Sequence, residues 1–161
     1  MLPLPKGISG FGEVEGNRIE LDEFKRICYH LMIVFQFQGF ELIDTYSGNY
    51  YIGKLMRAGN NRDIFILMNQ CYPILSFADE YEYGNINFVE ESTIAEYLSN
   101  LEYRLTSIEG DQITNYKVIT LEKLNVSLSD SLIEGLHKEE KKQIDYWRPS
   151  KVKDIIFNNW D

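Results

Sequence analysis

Between Phe40 and Val89 the chain sets short β-forming runs between connections too brief to let any strand return parallel to its predecessor. Phe40–Tyr46, Tyr50–Leu55, Asp63–Met68, Tyr72–Phe77 and Ile86–Val89 are rich in Ile, Leu, Phe and Tyr, and Ser47-Gly48-Asn49 and Gly59-Asn60-Asn61 punctuate them. Runs of this kind, parted by Gly and Asn, are hairpin signals. A parallel crossover needs a dozen or more residues. The expected centre is therefore an antiparallel β-meander of four to six strands.

Helical patterns flank it. Phe24, Cys28, Leu31 and Phe35 recur at helical spacing, with Ile27 and Val34 beside them. This predicts a helix over about 19–37, with Gly39 as its C-terminal cap. Asn17 and Glu20 have the spacing of a capping box. Two competing patterns overlap its ends: Ile33–Gln38 alternates as a strand would, and Gly16-Asn17 suits a hairpin turn. A second helix opens at Glu91-Ser92-Thr93, with Ser92 or Thr93 as cap and Ile94, Leu98 and Leu101 as its apolar stripe. Tyr116–Leu121 reads as a strand whose neighbour is undefined. Ser129 or Asp130 caps a short helix through Leu136, and a charged helix covers Lys138–Tyr146. Pro149 breaks it, and Ser150 caps a last helix over Lys151–Asn158. Grouped strands with helices elsewhere define an α+β fold, a meander packed against an N-terminal helix and C-terminal helices. At 161 residues the expectation is a single domain, 1–161.

The chemistry that the sequence lacks narrows function. No H-E-x-x-H, P-loop, G-x-S-x-G or strand-following G-x-G-x-x-G is present. Gly10-Phe11-Gly12 is glycine-bearing, but no helical pattern starts behind it and no Lys-Ser/Thr follows, so it makes a poor phosphate cradle. His30 falls near the apolar face of the first helix and reads as structural; His137 reads as exposed. Cys28 and Cys71 belong to no C-x-x-C or metal-ligand cluster and read as small buried residues of a reduced cytosolic protein. The expectation is no catalytic residue, no metal and no cofactor. The N-terminus lacks a basic n-region and a sustained apolar stretch, which argues against a signal peptide. The longest apolar region, Ile27–Phe37, is interrupted by Tyr29, His30 and Gln36 and is too short to span a bilayer. A cytoplasmic chain without membrane partners is expected.

Charge gives the positive indication. The net charge is −9, which speaks against nucleic acid as a direct partner and suits a basic protein, whose encounter opposite fields accelerate. Residues Asp79 to Asp111 hold nine acids and one base, Arg104, so this stretch alone carries −8. Within it, Asp79-Glu80-Tyr81-Glu82-Tyr83 interleaves acids with tyrosines and ends at Gly84. Tyr supplies rigid amphipathic contact area, and acids supply steering and partners for Lys or Arg. A loop of this composition suits docking onto a basic protein surface, and Asp79, Glu80, Tyr81, Glu82 and Tyr83, supported by Glu90 and Glu91, are the expected partner-binding residues. Tyr46, Tyr50 and Tyr51 flank a hairpin turn and are explained by cross-strand pairing.

The C-terminal stretch Tyr146-Trp147-Arg148-Pro149-Ser150, leading into an apolar helix that ends Phe157-Asn158-Asn159-Trp160-Asp161, resembles the ends of small bacterial immunity proteins of polymorphic or contact-dependent toxin systems. The resemblance covers about the last 16 residues, with size, acidity and α+β order elsewhere. It implies a protein that neutralises a cognate toxin, often a nuclease, by occupying its basic surface inside the producing cell. It carries no catalytic residues. From the residues alone, Pro149 fixes a bend and Trp147, Phe157 and Trp160 seal the edge of a core. Three further readings stand beside it: a small-molecule or peptide-binding regulatory domain with a Tyr- and Phe-lined pocket between sheet and helices, a hydrolase using paired carboxylates, and a subunit of a homo-oligomer.

Overall fold

The computed structural model describes residues 3–12, 18–107 and 110–160, with side chains described outside 103–113. The fold is α+β. A helix α1 (Leu21–Val34) leads into five consecutive strands: β1 (Gly39–Ile43), β2 (Tyr50–Met56), β3 (Ile64–Asn69), β4 (Ile74–Glu82) and β5 (Asn85–Val89). Each pairs antiparallel with the next, so spatial order equals chain order. Helix α2 (Ser92–Ser99) follows, then a separate antiparallel hairpin of β6 (Glu102–Ser107) and β7 (Gly110–Asn115). The chain returns as β8 (Lys117–Val118), which lies parallel to Ile74 and Leu75 at the start of β4. That is the neighbour the sequence left undefined. Four helices close the chain: α3 (Leu121–Leu124), α4 (Asp130–Ile133), α5 (Lys138–Trp147) and α6 (Lys153–Ile156).

Alternation along the strands gives the sheet two apolar faces. On the first, Leu55, Ile66, Met68, Leu75 and Phe77 pack under Phe24, Ile27, Cys28 and Leu31 of α1 and Ile94 and Leu98 of α2. On the second, Tyr50, Ile52, Leu67 and Ala78 meet Leu4 and Ile8 of the N-terminal segment and Leu124, Leu132, Leu136, Ile144, Val152, Ile155, Ile156 and Phe157 of the C-terminal helices. Full burial of one such aliphatic or aromatic side chain contributes about 1.5–3 kcal/mol, so both faces are substantial cores. Cys28 and Cys71 are buried free thiols, as expected; burial pushes both thiols up. Among the described residues no helix is long and apolar enough to cross a membrane.

The elements stop where local chemistry makes them stop. Helix α1 ends at Val34, short of the expected boundary, because Gln36 takes the left-handed conformation (φ 57°) that turns the chain, while Gly39 already pairs with Met56 in β1. At its other end Glu20 is the N-cap, without a side-chain cap bond, and Asp22 and Glu23 favour the positive helix terminus. Asn17 and Gly16 lie outside the described residues. Glu91, and neither Ser92 nor Thr93, occupies the N-cap of α2. Helix α6 is a single turn; the Asp154 carboxylate accepts from the Ser150 and Lys151 amides ahead of it.

Gly53 of β2 admits no side chain, because a Cβ there would stand 2.2 Å from Cε2 of Phe40 on β1. We expect Gly53→Ala to destabilise the fold by about 1–3 kcal/mol through displacement of that ring. Urea unfolding checks this, and adding Phe40→Leu should recover part of the loss. A Gly53→Ala protein as stable as the parent would show that the ring moves aside freely.

Candidate functional site

The stretch Asp79–Glu82, expected as loop, is the far end of β4, and the turn itself contracts to Tyr83-Gly84, with Gly84 at φ 75°. Acids do not prevent the strand here, because each side chain has an appropriate side to occupy. The register with β5 shifts between Ala78 and Glu80, marking a bulge at Asp79. Asp79 accepts from Asn87 Nδ2 at 2.6 Å. Beyond the bulge, Glu80 and Glu82 share one face by their two-residue spacing, and Tyr81 takes the other.

Tyr81 faces the second core, against Phe65 and Tyr50. Its hydroxyl is 3.0 Å from that of Tyr50, and Tyr50 donates to Asn159 Oδ1 at 2.8 Å. Burial, chiefly, pushes both phenols up, so both stay protonated in the physiological range. Tyr83 is 54% exposed. Its hydroxyl lies 3.0 Å from Ser47 Oγ, and Ser47 in turn donates to the Asn159 carbonyl at 3.1 Å. Its ring meets Tyr46, 82% exposed, edge to face at 5.9 Å. The hairpin tip is thus bolted to the β1–β2 turn and to the C-terminal segment.

Glu80 and Glu82 are exposed and make no hydrogen bond or ion pair among the described residues. They border a groove of about 660 Å³ whose other walls include Lys54, Arg62, Asp63 and Phe65. Lys54 is engaged by Asp63 at 3.6 Å. Glu90 and Glu91 sit elsewhere. They follow β5, whose five residues at roughly 3.3 Å each put them roughly 15 Å from the tip. Both have structural work: Glu90 accepts from the Leu121 amide at the start of α3, and Glu91 pairs with Arg57 at 3.2 Å. The expected set therefore divides into a compact group at the tip, with Tyr81 turned inward, and two remote acids. Glu109 lies outside the described residues, and the side chains of Arg104 and Asp111 lie outside the described ones.

A polar cluster that sequence reasoning missed lies under the N-terminal segment. Glu140 of α5 is fully buried, and its carboxylate accepts from the Gly7 amide (2.7 Å), the Ser9 amide (3.1 Å), Ser9 Oγ (2.6 Å) and the His137 amide (3.1 Å). His137, expected to be exposed, is half-buried at the N-cap of α5. A hydroxyl, a carboxylate and an imidazole thus come close together, but Ser9 donates to the carboxylate instead of to the imidazole and is 0% exposed. The arrangement ties segments together and offers substrate no access. Beside it, Asn49, Asn69 and Asn158 are buried and hydrogen-bond the carbonyls of Ile8, Ser9, Ile155 and Ile156. His30, structural as expected, bonds Tyr97 Oη through Nε2 at 2.6 Å. Among the described residues no group of His, Cys, Asp or Glu is placed to hold a metal ion.

Comparison with known proteins gives no matching family model, no matching curated protein and no matching solved structure.

Proposed function

We propose that this chain is a non-catalytic binding protein that docks its β4–β5 tip on a basic surface of a protein partner, as a cytoplasmic immunity protein does when it occludes a cognate toxin. The observation that supports it most is the pair Glu80 and Glu82: exposed, without a hydrogen bond or ion pair among the described residues, and carried beside Tyr83 on a hairpin tied to Ser47. Unpaired surface acids cost the fold little and remain available to a partner's Lys or Arg, where they accelerate encounter and set orientation. Tyr83 adds amphipathic contact area next to them. The C-terminal resemblance to immunity proteins supports a toxin domain as the partner, with its gene expected next to that of this chain.

The reading predicts that the Glu80→Lys/Glu82→Lys double variant keeps its thermal midpoint but binds the neighbouring toxin-like product about 100-fold more weakly, since juxtaposed like charges cost several kcal/mol. The wild-type complex should weaken as salt rises. Co-expression of the two genes supplies the readout. If the wild-type chain neither protects the host nor forms a complex, the proposal falls.

A further inference from the structure

Strand β4 outruns its neighbour β3. Their pairing ends at Phe65 opposite Ala78, while β4 stays paired with β5 as far as Glu82 opposite Asn85. The bulge between Ala78 and Glu80 coincides with this parting. Asp79–Glu82 therefore have a partner strand on one side and none on the other. At 3.3 Å per residue this leaves an open edge of about 13 Å. Among the described residues no other segment hydrogen-bonds that stretch of backbone.

The groove of about 660 Å³ runs along this edge. It touches Asp79, Glu80, Tyr81 and Glu82 in succession. Successive strand residues point to opposite faces, so a hollow lined by all four follows the edge of the strand and not one of its faces. Opposite stand Arg62, Asp63 and Phe65, where β3 begins. An unpaired strand edge beside an open groove is the geometry by which an extended peptide adds to a sheet. Backbone pairing supplies affinity and alternate side chains supply selectivity.

The side chains define that selectivity. On one face lie Glu80 and Glu82, across from Asn87 and Asn85 of β5, exposed and without a hydrogen bond or ion pair among the described residues. On the other, the rings of Tyr81 and Phe65 lie 6.2 Å apart between centroids. Asp79 is engaged by Asn87, and Lys54 by Asp63. Arg62, exposed on the opposite wall, has no ion pair among the described residues. An added strand alternates in the same way as β4. Two of its residues, two apart, fall beside Glu80 and Glu82, and the residue between them falls on the side of Tyr81 and Phe65. Opposite charges across a strand pair stabilise it and like charges do the reverse. The acids thus disfavour a second copy of this hairpin (Glu against Glu) and admit Lys or Arg.

We infer that the open edge of β4 receives an extended segment of the protein partner as an added strand, with Lys or Arg at two positions two apart facing Glu80 and Glu82 and an apolar residue between them on the side of Tyr81 and Phe65. This inference rests on the protein-binding reading and gives it a mode of contact. The acids steer and set the register, and the backbone edge holds.

The test titrates the isotope-labelled full chain with acetyl-Thr-Lys-Val-Lys-Thr-amide and follows backbone amide shifts by NMR. Saturable shifts at Asp79–Glu82 are expected. Acetyl-Thr-Glu-Val-Glu-Thr-amide should bind at least about tenfold more weakly. So should acetyl-Thr-Lys-Lys-Val-Thr-amide, whose cations fall on opposite faces. In Glu80→Lys/Glu82→Lys the preference between the Lys-Val-Lys and Glu-Val-Glu peptides should reverse. Two further Lys-Val-Lys peptides probe the backbone, one N-methylated at both lysines and the other at the valine and the last threonine. Each blocks one edge of the peptide, so one should lose binding by at least about tenfold and the other retain it. Equal affinities of the two methylated peptides overturn strand addition. Equal affinities for Lys-Val-Lys and Lys-Lys-Val overturn the alternating pattern, and no shift with any peptide overturns the edge as a seat. The protein-binding proposal keeps its own co-expression test: a complex that forms, and is lost in Glu80→Lys/Glu82→Lys, while no peptide binds, retains that proposal and removes the added strand.

Discussion

Glu140→Ala is expected to remove about 3–5 kcal/mol of folding stability, a large share of the roughly 5–15 kcal/mol that holds a typical domain together. Four donors converge on that carboxylate, two backbone amides and a hydroxyl from Gly7 and Ser9 and the amide of His137. Alanine leaves each without an acceptor in a place the solvent does not reach, and an unpaired buried donor costs about 1–3 kcal/mol. Partial entry of water into the vacated volume keeps the total below the sum. Glu140→Gln should cost about half as much. Its amide retains one acceptor oxygen, but its NH₂ must face donors on the other side, where only the Ser9 hydroxyl is able to rotate and accept. The measurement is a urea titration, in which the midpoint falls while the slope is preserved. Limited proteolysis supplies a second readout, because residues 3–12 are held at Gly7 and Ser9 and should become cleavable first. An alanine variant within about 1 kcal/mol of the parent would mean the carboxylate is not what fastens this segment.

Asn69→Leu should cost about 2–4 kcal/mol. The side chain donates to Ile8 O (2.9 Å) and Ile156 O (2.8 Å) and accepts from the amides of Cys71 (2.8 Å) and Tyr72 (3.0 Å). Leucine fills the volume and provides none of these bonds. The carbonyl of Ile8 retains its bond from Asn49, so the single substitution does not orphan every partner. That sharing makes a sharper test. Combining Asn69→Leu with Asn49→Ala strips Ile8 O of both donors, and the pair should cost more than the two singles together, by about 0.5–3 kcal/mol. Strict additivity in the double-mutant cycle would show that the asparagines act as separate bonds instead of a shared network.

How much of this the sequence displays depends on the range of the interaction involved. The meander is visible because alternation and turn residues are local, and β1 to β5 lie close to where the pattern puts them. The overrun of β4 through Glu82 is not visible. Acids read as loop until the partner strand, and the half-buried setting of Tyr81, are known. The tip's acids stand out by composition, but the roles of Glu90 and Glu91 depend on α3 and Arg57, which composition does not position. Trp147 and Tyr83 are each conspicuous in the sequence; that both line one surface hollow is a tertiary fact. Glu140 gave no signal, since its partners are more than a hundred residues away and the residue three positions before it, His137, is an unusual capping residue. Just ahead of Gly10-Phe11-Gly12, the run read as a poor phosphate cradle, the amides of Gly7 and Ser9 do gather around an anion. The anion is the chain's own carboxylate.

The two faces of the sheet are completed at different stages of the chain, the first by α1 and α2 and the second chiefly by the C-terminal helices, which has a consequence for biosynthesis. Helix α1 precedes the strands and α2 follows them directly, so the first face is covered soon after the strands emerge from the ribosome. The second face, with Tyr50, Ile52 and Leu67, waits for Val152, Ile155 and Phe157, and its pins join residues 133 and 149 apart in sequence. Closing so long a loop adds little free energy, because closure entropy grows only logarithmically with length. It adds time. At roughly 5–20 residues per second, a nascent chain holds a formed sheet with one bare apolar side for several seconds. This half-built sandwich, and not the finished protein, is the species most in need of a chaperone.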